Sequence, residues 1–289
     1  MIIVKIIGGL GNQMFQYAFY KSLLAKGIDV KVDITDFKNY KLHNGYELEK
    51  IFNVNPQKAT VDECFKVGMP KNSLVNRVLR KLNINKNKKS YYEQGAIESL
   101  QYLPDNYDFT KDMYLNGYWA SYKWFESIDE EIRKEFIFKI SLDNENQLIA
   151  QDILNSNSVS LHIRRGDYLK YDIYQGICTI DGYYNKAIDY ISERVENAKF
   201  FIFSNDIEWC YQNLKIENAY YVTNNLGINS YKDMQLMSLC KHNIIANSSF
   251  SFWGGHLNQN PTKIVVCPHK FLNLDYEKDD VFPESWIKI

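Results

Sequence analysis

Two adjacent arginines are the sequence feature best suited to chemistry. Arg164 and Arg165 lie in the segment HIRRGDY, residues 162–168, directly after the apolar residues Val159–Leu161. The chain has only six arginines among its 34 basic side chains, so two neighbours here indicate a specific need for guanidinium groups. Guanidinium donates paired hydrogen bonds to phosphate oxygens, each contributing roughly 1.5–3 kcal/mol. The pair is predicted to bind a pyrophosphate without a metal ion, and a structural ion-pair network through Asp167 is the alternative.

A glycine-rich turn near the N-terminus is the second candidate site. Gly9 and Gly11 follow an apolar strand and precede a helical segment, and Asn12 and Gln13 place two amides at the turn. Glycines let a ligand approach the backbone, and a helix N-terminus offers N–H donors to an anion. With Asp33 closing the next strand, the segment also matches part of the dinucleotide-binding fingerprint, which makes an NAD(P)-dependent oxidoreductase an alternative. A tight turn with an amide cap and no ligand is the third interpretation.

Composition and charge exclude several functional classes. Lys and Arg number 34 and Asp and Glu 35, a net charge of -1, which argues against broad electrostatic binding to nucleic acid. The five cysteines form no CxxC pair, so neither a disulfide framework nor a zinc site is expected. The chain also lacks the Asp-x-Asp pair with which many enzymes acting on nucleotide sugars hold a divalent ion. We therefore expect no metal, with the arginines in the role of the cation.

These candidate residues need a scaffold of parallel strands. Short apolar strands alternate with helical segments, a pattern typical of an α/β fold whose parallel sheet is covered on both faces. The predicted strands are 1–7, 28–34, 114–119, 158–163, 199–204, 219–222, 243–246 and 263–267. The predicted helices are 12–26, 126–136, 144–154, 182–195, 207–214, 231–240 and 251–259. Because Asn and Ser cluster at 155–158, the predicted domains are residues 1–155 and 156–289.

Five motifs together resemble those of bacterial alpha-1,2-fucosyltransferases. They are GGLGNQMFQYA at 8–18, HNGYELEKIF at 43–52, HIRRGDY at 162–168, FSND at 203–206 and NSSFSFWGGHL at 247–257. The motifs keep the family's order and span nearly the whole chain. The resemblance implies a GT-B fold of two facing Rossmann-like domains with parallel sheets, the N-terminal one on the acceptor side and the C-terminal one binding the donor. It also implies GDP-fucose as donor, no metal or other cofactor, and inversion at the fucose anomeric carbon.

The resemblance further assigns individual residues to the donor. It implies that Arg164 and Arg165 hold the diphosphate, that His162 approaches the nucleoside and that Asp233 binds guanine. A carboxylate suits guanine because it accepts from N1–H and the exocyclic amine together. The other residues implied are Ser204, Ser248, Ser249 and Ser251 on the donor side, and Gly9, Gly11, Asn12 and Gln13 facing the donor sugar or acceptor. The last three serines also suit a helix N-cap.

The activity implied is transfer of L-fucose to the 2-hydroxyl of a galactoside, in synthesis of a surface polysaccharide such as O-antigen or capsule. Such a transfer needs a base for the attacking hydroxyl and fixed positive charge for the leaving GDP. The predicted catalytic residues are Arg164, Arg165, Asp167 and Asp172, with Asp36 and Glu47 as further base candidates. Alternatives are a transferase of the same fold that uses another GDP-deoxyhexose such as GDP-colitose, the oxidoreductase, and a sugar-binding protein without catalysis.

Neither a signal peptide nor a membrane-spanning segment is expected. MIIVKIIGG lacks the basic and then apolar pattern of a signal peptide, and no apolar run approaches about 20 residues. A cytoplasmic location is therefore expected, with a galactoside-terminated oligosaccharide or lipid-linked glycan as acceptor and no nucleic-acid partner. The apolar stripe and basic side chains of residues 74–89 would allow peripheral contact with the inner face of the membrane, and a solvated helix is the alternative. The oligomeric state is not predicted.

Overall fold

Alternating strands and helices build one parallel sheet in each half of the chain. The computed structural model describes residues 1–40, 42–70, 90–179 and 182–289, so the predicted membrane-contacting segment 74–89 lies outside the described residues. The chain divides into two units, Met1–Glu135 and Phe136–Ile289. Within the described ranges, no helix combines the length and apolar character needed to cross a membrane.

The N-terminal unit is built around a sheet of four short strands. Its strands are β1 (Ile2–Lys5), β2 (Val30–Asp33), β3 (Tyr91–Glu93) and β4 (Met113–Asn116), and its helices are α1 (Leu10–Ala25), α2 (Leu48–Ile51), α3 (Val61–Val67) and α4 (Asp129–Glu135). All pairs are parallel, in the order β2-β1-β4-β3. β1 lies in the middle of this sheet, and ligands of open α/β sheets bind beyond the carboxyl ends of the strands. The glycine turn after β1 occupies this position.

The C-terminal unit repeats this plan with a longer sheet. Its strands are β5 (Asn157–Ile163), β6 (Ala198–Ser204), β7 (Ala219–Val222), β8 (His242–Ile244), β9 (Val265–Cys267) and β10 (Ile287–Lys288), and its helices are α5 (Asn144–Leu154), α6 (Tyr183–Ser192), α7 (Ile207–Asn213), α8 (Tyr231–Leu239) and α9 (Ser249–His256). The strands are parallel in the order β10-β9-β8-β5-β6-β7. The switch point lies between β5 and β8, so HIRRGDY after β5 and the serines after β8 share this edge.

The predicted strands and helices are confirmed, with small differences at their ends. The helix predicted over 126–136 begins with a 3-10 turn, Glu126–Ile128, before α4. Other 3-10 turns are Thr35–Asn39, Glu98–Leu100, Pro104–Asn106, Tyr122–Trp124, Gly166–Lys170 and Gly227–Asn229. The strands β3 and β10 were not predicted, because a strand of two or three residues is too short to show an alternating pattern.

The boundary between the units lies at Glu135 rather than near Asn155, where the sequence placed it. The reason is the packing of α5, which buries Ile149 and Ile153 in a cluster with Phe201 of β6. Burial of apolar side chains is the main favourable term in assembling such elements. Helix α5 therefore belongs to the C-terminal unit, and the Asn/Ser-rich stretch is a connection inside that unit.

Close packing of α8 and α9 fixes the helices beside the switch point. A Cβ added at Gly254 of α9 would lie 3.0 Å from the Cβ of Met237 on α8, and one added at Gly255 would lie 3.2 Å from Val265 Cγ1. The two glycines therefore allow α9 to approach both α8 and β9. This contact positions the N-terminal turns of both helices at the carboxyl edge of the sheet.

Candidate functional site

Arg164 is the first residue after β5, and its guanidinium group is held from two sides. Its Nη2 donates to Asp167 Oδ2 at 2.8 Å, and its Cζ lies 5.3 Å from the centre of the Tyr168 ring. The Nε of Arg164 has no hydrogen-bond partner among the described residues, and 25% of the side chain is exposed. Guanidinium has five N–H donors. The ion pair with Asp167, foreseen as the structural alternative, therefore exists and still leaves donors for an anion.

Arg165 is oriented by residues that follow the neighbouring strand β6. Its Nε donates to Asp206 Oδ2 at 3.0 Å, and its Cζ lies 4.6 Å from the centre of the Trp209 ring. Asp206 also caps α7 by accepting from the Trp209 N–H at 3.3 Å, and its own N–H donates to Ser204 Oγ at 2.9 Å. No group in the described ranges accepts from the Nη nitrogens of Arg165. Ser204, predicted on the donor side, thus holds the partner of an arginine.

Asn205 connects the Arg165 backbone to Asp167, the ion-pair partner of Arg164. The sequence did not identify this residue as part of the site. Its Oδ1 accepts from the Arg165 N–H at 3.0 Å, and its Nδ2 donates to Asp167 Oδ1 at 3.2 Å. A Cβ added at Gly166 would lie 2.5 Å from this Nδ2, so a larger residue at position 166 would displace the Asn205 amide. Asn205 belongs to the FSND motif, but nothing in the sequence indicates that its side chain contacts the HIRRGDY motif.

His162 lies within β5 with 5% of its surface exposed. Burial, with a smaller contribution from Arg164, lowers the pKa of its imidazole to about 3, so the ring is neutral at physiological pH. Its Nδ1 has no hydrogen-bond partner among the described residues. The side chain is therefore a neutral hydrogen-bonding group two residues before Arg164, and its contact with a nucleoside remains a prediction.

The serines around the start of α9 differ in their roles. Ser251 is fully buried, and its Oγ accepts from the Ala246 N–H at 3.2 Å and donates toward the Ser248 carbonyl oxygen at 3.2 Å. Ser251 thus holds the turn between β8 and α9. Ser248 is the N-cap residue, but its side chain makes no capping hydrogen bond, and Ser249 is half-buried. Of the three, Ser251 is structural, and Ser248 and Ser249 remain the predicted donor-side residues.

Asn247 links this turn to the loop after HIRRGDY, and its role was not predicted. Its carbonyl oxygen accepts from the Tyr168 hydroxyl at 3.1 Å, and its side chain accepts from Cys178 Sγ at 3.4 Å and donates to the Phe271 carbonyl at 3.2 Å. Tyr168 in turn stacks on Tyr174, with ring centres 4.6 Å apart. These contacts fix the loop that carries Asp172.

Asp233 lies in the first turn of α8, with one defined partner. Its Oδ1 accepts from Asn225 Nδ2 at 2.8 Å. Burial raises the pKa of the carboxyl group to about 7, and the hydrogen bond from Asn225 lowers it by a smaller amount. The adjacent Lys232 turns to Asp143, with Nζ 2.5 Å from Oδ2. Asp233 is therefore a half-buried carboxyl group without a cation, which suits it to a ligand with neutral N–H donors.

The two carboxylates predicted near the arginines differ in their surroundings. Asp167 contacts Arg164 and Asn205, as described above. Asp172 is exposed, and its backbone carbonyl accepts from Asn273 Nδ2 at 3.2 Å. In the described residues, no contact joins the Asp172 carboxylate to either arginine. The structure thus brings Asp167 to the arginine pair and leaves Asp172 on the neighbouring loop.

The glycine turn of the N-terminal unit uses its amide internally. The Nε2 of Gln13 donates to the carbonyl oxygens of Gly8 at 2.9 Å and Gly45 at 2.8 Å, and its Oε1 accepts from the Glu47 N–H at 2.9 Å. Gln13 is fully buried. Gly8 has a φ of 83°, which favours glycine. Gln13 therefore connects the turn to the 45–47 loop. This is a structural role, as in the third interpretation of the turn, in which an amide holds a tight turn without a ligand.

The other residues predicted at this turn lie around the start of α1. Gly9 is the N-cap residue of α1, Gly11 is buried, and Asn12 is half-buried. The N–H groups of Asn12 and Gln13 both donate to the Gly9 carbonyl oxygen at 3.0 Å. Their contact with a donor sugar or acceptor stays a prediction.

Asp33, the predicted ribose-binding acid of the oxidoreductase interpretation, is 1% exposed. Its Oδ1 accepts from the Thr35 N–H at 2.8 Å and its Oδ2 from the Tyr114 hydroxyl at 2.5 Å. A carboxylate buried in this way is not available to a ribose hydroxyl. Elsewhere in the described ranges, no group of three His, Cys, Asp or Glu side chains is arranged to hold a metal ion.

The carboxyl edge of the C-terminal sheet thus carries oriented guanidinium groups and a neutral histidine at the end of β5 and a half-buried carboxyl group at the start of α8, as expected for an α/β enzyme that binds a nucleotide-linked substrate. The model of the family "Glycosyl transferase family 11" matches residues 1–289, and the chain belongs to this family. It is a glycosyltransferase, and the oxidoreductase interpretation is wrong.

Several relatives are similar over most of their length. An alpha-1,2-colitosyltransferase of Escherichia coli is 34% identical over 299 residues, covering 100% of this chain and 99% of that protein. The O-antigen biosynthesis glycosyltransferase WbnK of Escherichia coli is 32% identical over 306 residues, covering 98% of each. A galactoside alpha-(1,2)-fucosyltransferase 1 of Saimiri boliviensis boliviensis is 26% identical over 190 residues, 61% of this chain and 52% of that protein.

A solved structure supports the fold. Fucosyltransferase NodZ from Bradyrhizobium matches with a TM-score of 0.52 at 11% identity, covering 88% of this chain and 91% of that one. Together with the two parallel-sheet units, this likeness confirms the predicted α/β GT-B fold.

Proposed function

We propose that this glycosyltransferase moves L-fucose from GDP-fucose to the 2-hydroxyl of a galactoside, with inversion at the fucose anomeric carbon. The observation that carries the proposal is the pair of oriented arginines with unused N–H donors at the switch point. Relatives named for alpha-1,2-colitosyl and alpha-(1,2)-fucosyl transfer support the linkage and the donor class. The NodZ structure soaked with GDP-fucose supports a GDP-sugar as donor for this fold.

GDP-colitose is the second donor candidate, favoured by the 34% identity to a colitosyltransferase. Colitose lacks a hydroxyl group that fucose has. A single buried contact to that hydroxyl is therefore enough to separate the two donors, since an unpaired buried polar group costs about 1–3 kcal/mol.

In this proposal Arg164 and Arg165 bind the diphosphate and stabilise the charge that develops on the leaving GDP. Both groups are already oriented, by Asp167 and Tyr168 for one and by Asp206 and Trp209 for the other. Donors fixed before the reaction stabilise developing charge without reorganisation. The reaction is proposed to need no metal or other cofactor.

Asp233 is proposed to accept from the N1–H and exocyclic amine of guanine. Its partial burial, its single hydrogen bond and the pairing of Lys232 with Asp143 support this role, because they leave the carboxyl group for neutral donors. His162, Ser248 and Ser249 are the other proposed donor-side residues.

Asp172 is proposed as the general base. Asp167 already accepts from Arg164 and Asn205, which supports an orienting role for it. Of the further candidates, Asp36 pairs with Lys5 at 2.7 Å, and Glu47 is buried and accepts from Asn44 at 3.2 Å. Asp172 is exposed on the loop that follows the arginines, where an acceptor hydroxyl can reach it.

The acceptor is proposed to be a galactoside-terminated oligosaccharide or lipid-linked glycan of a surface polysaccharide, in line with the O-antigen name of one relative. A cytoplasmic location with peripheral contact to the inner membrane face fits such an acceptor and forms part of the proposal.

Product analysis tests the function. The purified chain is incubated with a lactoside and either GDP-fucose or GDP-colitose, and the product linkage is determined by NMR. An alpha-1,2-linked fucoside supports the proposal, and turnover of GDP-colitose alone selects the second donor. Transfer from neither donor to a panel of galactosides would overturn both.

A further inference from the structure

A pair of buried asparagines leads directly to Asp233. Asn225 Nδ2 donates to Asp233 Oδ1 and to Asn146 Oδ1, both at 2.8 Å, and Asn146 Nδ2 returns a bond to Asn225 Oδ1 at 2.9 Å. Asn225 is 6% and Asn146 1% exposed. The two amides therefore face each other across a reciprocal pair of hydrogen bonds, and one of them ends on the carboxyl group.

The far side of this pair is anchored at the start of α5. Asn146 Nδ2 also donates to Asp143 Oδ1 at 2.8 Å, and the same Oδ1 accepts from the Asn146 N–H at 3.0 Å. Asp143 Oδ2 pairs with Lys232 of α8. Asp143 thus accepts one side-chain N–H of Asn146, while the other N–H and the Oδ1 of Asn146 pair with the Asn225 amide. This fixes the Asn225 amide so that its second N–H faces Asp233.

The hydrogen bond from Asn225 determines how the Asp233 carboxyl group is rotated. One lone pair of Oδ1 is occupied, and no group in the described residues donates to Oδ2. The charged neighbours on α5 and α8, Asp143 and Lys232, neutralise each other. A carboxyl group held in this way presents Oδ2 and the second lone pair of Oδ1 to two parallel donors on a neutral ligand.

We propose that Asn225, held by Asn146, is a positioning residue that makes the donor site selective for a 2-amino-6-oxopurine base. The inference rests on the proposed function, since it takes guanine as the partner of Asp233. The base offers two adjacent N–H donors, and a carboxylate oriented by Asn225 accepts both. Without this orientation, the carboxylate accepts from only one of the two parallel donors, so the advantage that the exocyclic amine gives to guanine is lost.

The test compares binding of GDP with binding of inosine 5'-diphosphate (IDP), which lacks only the exocyclic amine. Calorimetric titration of the full chain should show wild type binding GDP about 10–100-fold more tightly than IDP, the range for one hydrogen bond to a charged group. Asn225→Ala and Asn146→Ala should reduce this ratio to about threefold or less, by weakening GDP and leaving IDP nearly unchanged. Asn225→Ser has a smaller side chain that still carries a hydrogen-bond donor. If Asn225→Ala does not fold, the GDP/IDP ratio is measured in Asn225→Ser instead.

Asn258→Ala is the matched control. Asn258 is 2% exposed and donates to Asn243 Oδ1 at 2.7 Å, so it too belongs to a buried asparagine pair of the same unit. Its loss should lower stability and leave the GDP/IDP ratio unchanged.

Removing the hydrogen bond from Asn225 also removes a contribution that lowers the pKa of Asp233, so the pH midpoint of GDP binding should rise in Asn225→Ala and not in the control.

The outcomes separate the inference from the function on which it rests. A folded Asn225 variant that keeps the wild-type GDP/IDP ratio overturns the positioning role and leaves the proposed function intact. Wild type that binds GDP but does not prefer it over IDP also overturns the inference. Absence of GDP binding in wild type overturns the proposed function as well.

Discussion

The two glycine-containing turns, after β1 and after β5, occupy similar places in their sheets but differ in what their polar groups do. Each follows a central strand at the carboxyl edge of its sheet, β1 in one unit and β5 in the other. After β1, Gln13 uses its amide within the fold. After β5, Arg164 and Arg165 are held by acidic and aromatic partners but keep donors unused.

This difference shows that position at the carboxyl edge of a sheet is not sufficient to define a binding site. The number of N–H donors that remain after hydrogen bonding within the fold decides whether such a turn can also bind a ligand. An amide has two N–H donors, and Gln13 uses both, whereas each arginine has five and uses only part of them. Guanidinium groups can therefore serve the fold and a ligand together, and a single buried amide cannot.

The largest expected effect follows removal of one guanidinium group from the C-terminal turn. Arg164→Ala and Arg165→Ala should each lower turnover of the donor by about 100-fold or more, because two charge-assisted bonds of roughly 1.5–3 kcal/mol are lost. Steady-state assays check this, with circular dichroism to confirm the fold. Arg194→Ala is the control, since Arg194 also has an acidic partner and a ring contact, Glu193 and Tyr190. An equal loss of turnover in Arg194→Ala would show that Arg164 and Arg165 have no special role.

Crowding the turn should have a smaller effect. Gly166→Ala places a Cβ 2.5 Å from Asn205 Nδ2, and the displaced amide loses its bonds to Arg165 and Asp167. We expect about tenfold slower turnover at nearly unchanged secondary structure, measured in the same assay. Gly95→Ala serves as control, because its nearest neighbour would be 3.9 Å away. Full activity of Gly166→Ala would show that Asn205 does not position the turn.

Donor binding should depend on pH through Asp233. Its folded pKa is raised to about 7 by burial, and the ionised form accepts guanine, so GDP affinity should fall as pH drops through 7. From pH 8 to pH 6 the expected weakening is about tenfold. The reference is Asp233→Asn, which lacks this titration but keeps that of the nucleotide phosphate. An identical pH profile in the two proteins would exclude Asp233 from the nucleotide site.

The raised pKa of Asp233 also predicts that the free energy of unfolding changes with pH in the direction opposite to GDP affinity. A folded pKa above the unfolded value means that the charged carboxylate opposes folding above pH 7, and that stability rises as pH falls from 7 toward 4. Asp233→Asn should therefore be more stable than wild type at pH 8, by at most about 4 kcal/mol. Urea unfolding at pH 8 and pH 5 measures this, and the difference should shrink at pH 5.

Disruption of the N-terminal turn should affect stability and leave the nucleotide site intact. Gln13→Ala removes three internal hydrogen bonds and should lower the free energy of unfolding by about 2–4 kcal/mol. Urea denaturation provides the measurement. A variant as stable as wild type would mean that the turn is not held by this amide.

Chelation should have the smallest effect. With arginines in place of a divalent ion, turnover in EDTA should equal that in buffer within error. A loss of activity in EDTA that Mg²⁺ or Mn²⁺ restores would contradict the proposed metal-free reaction.

The sequence predicted the elements better than their partners. Strands such as β5 and helices such as α8 carry clear apolar patterns, and the motifs located both turns. The pairing of Asn225 with Asn146 and of Asn205 with Asp167 joins residues far apart in the chain. Periodicity and spacing carry no information on such contacts, so these residues were missed.

The predicted domain boundary and the dinucleotide interpretation of the glycine turn were wrong for a related reason. Asn and Ser at 155–158 suggested a linker, but the apolar face of α5 is buried against β6 in the C-terminal unit. Gly9, Gly11 and Asp33 suggested a dinucleotide site, but Asp33 is occupied by Tyr114 and Thr35. In both cases tertiary contacts decided between interpretations that local sequence left open.

The most direct test of the account is a calorimetric titration of GDP into wild type, Arg164→Ala and Gln13→Ala under one set of conditions in EDTA. Wild type should bind GDP, Arg164→Ala should bind it about 10–100-fold more weakly, and Gln13→Ala, although less stable, should bind within about threefold of wild type. The reverse pattern, with binding lost in Gln13→Ala and kept in Arg164→Ala, would place the nucleotide at the N-terminal turn and contradict the account.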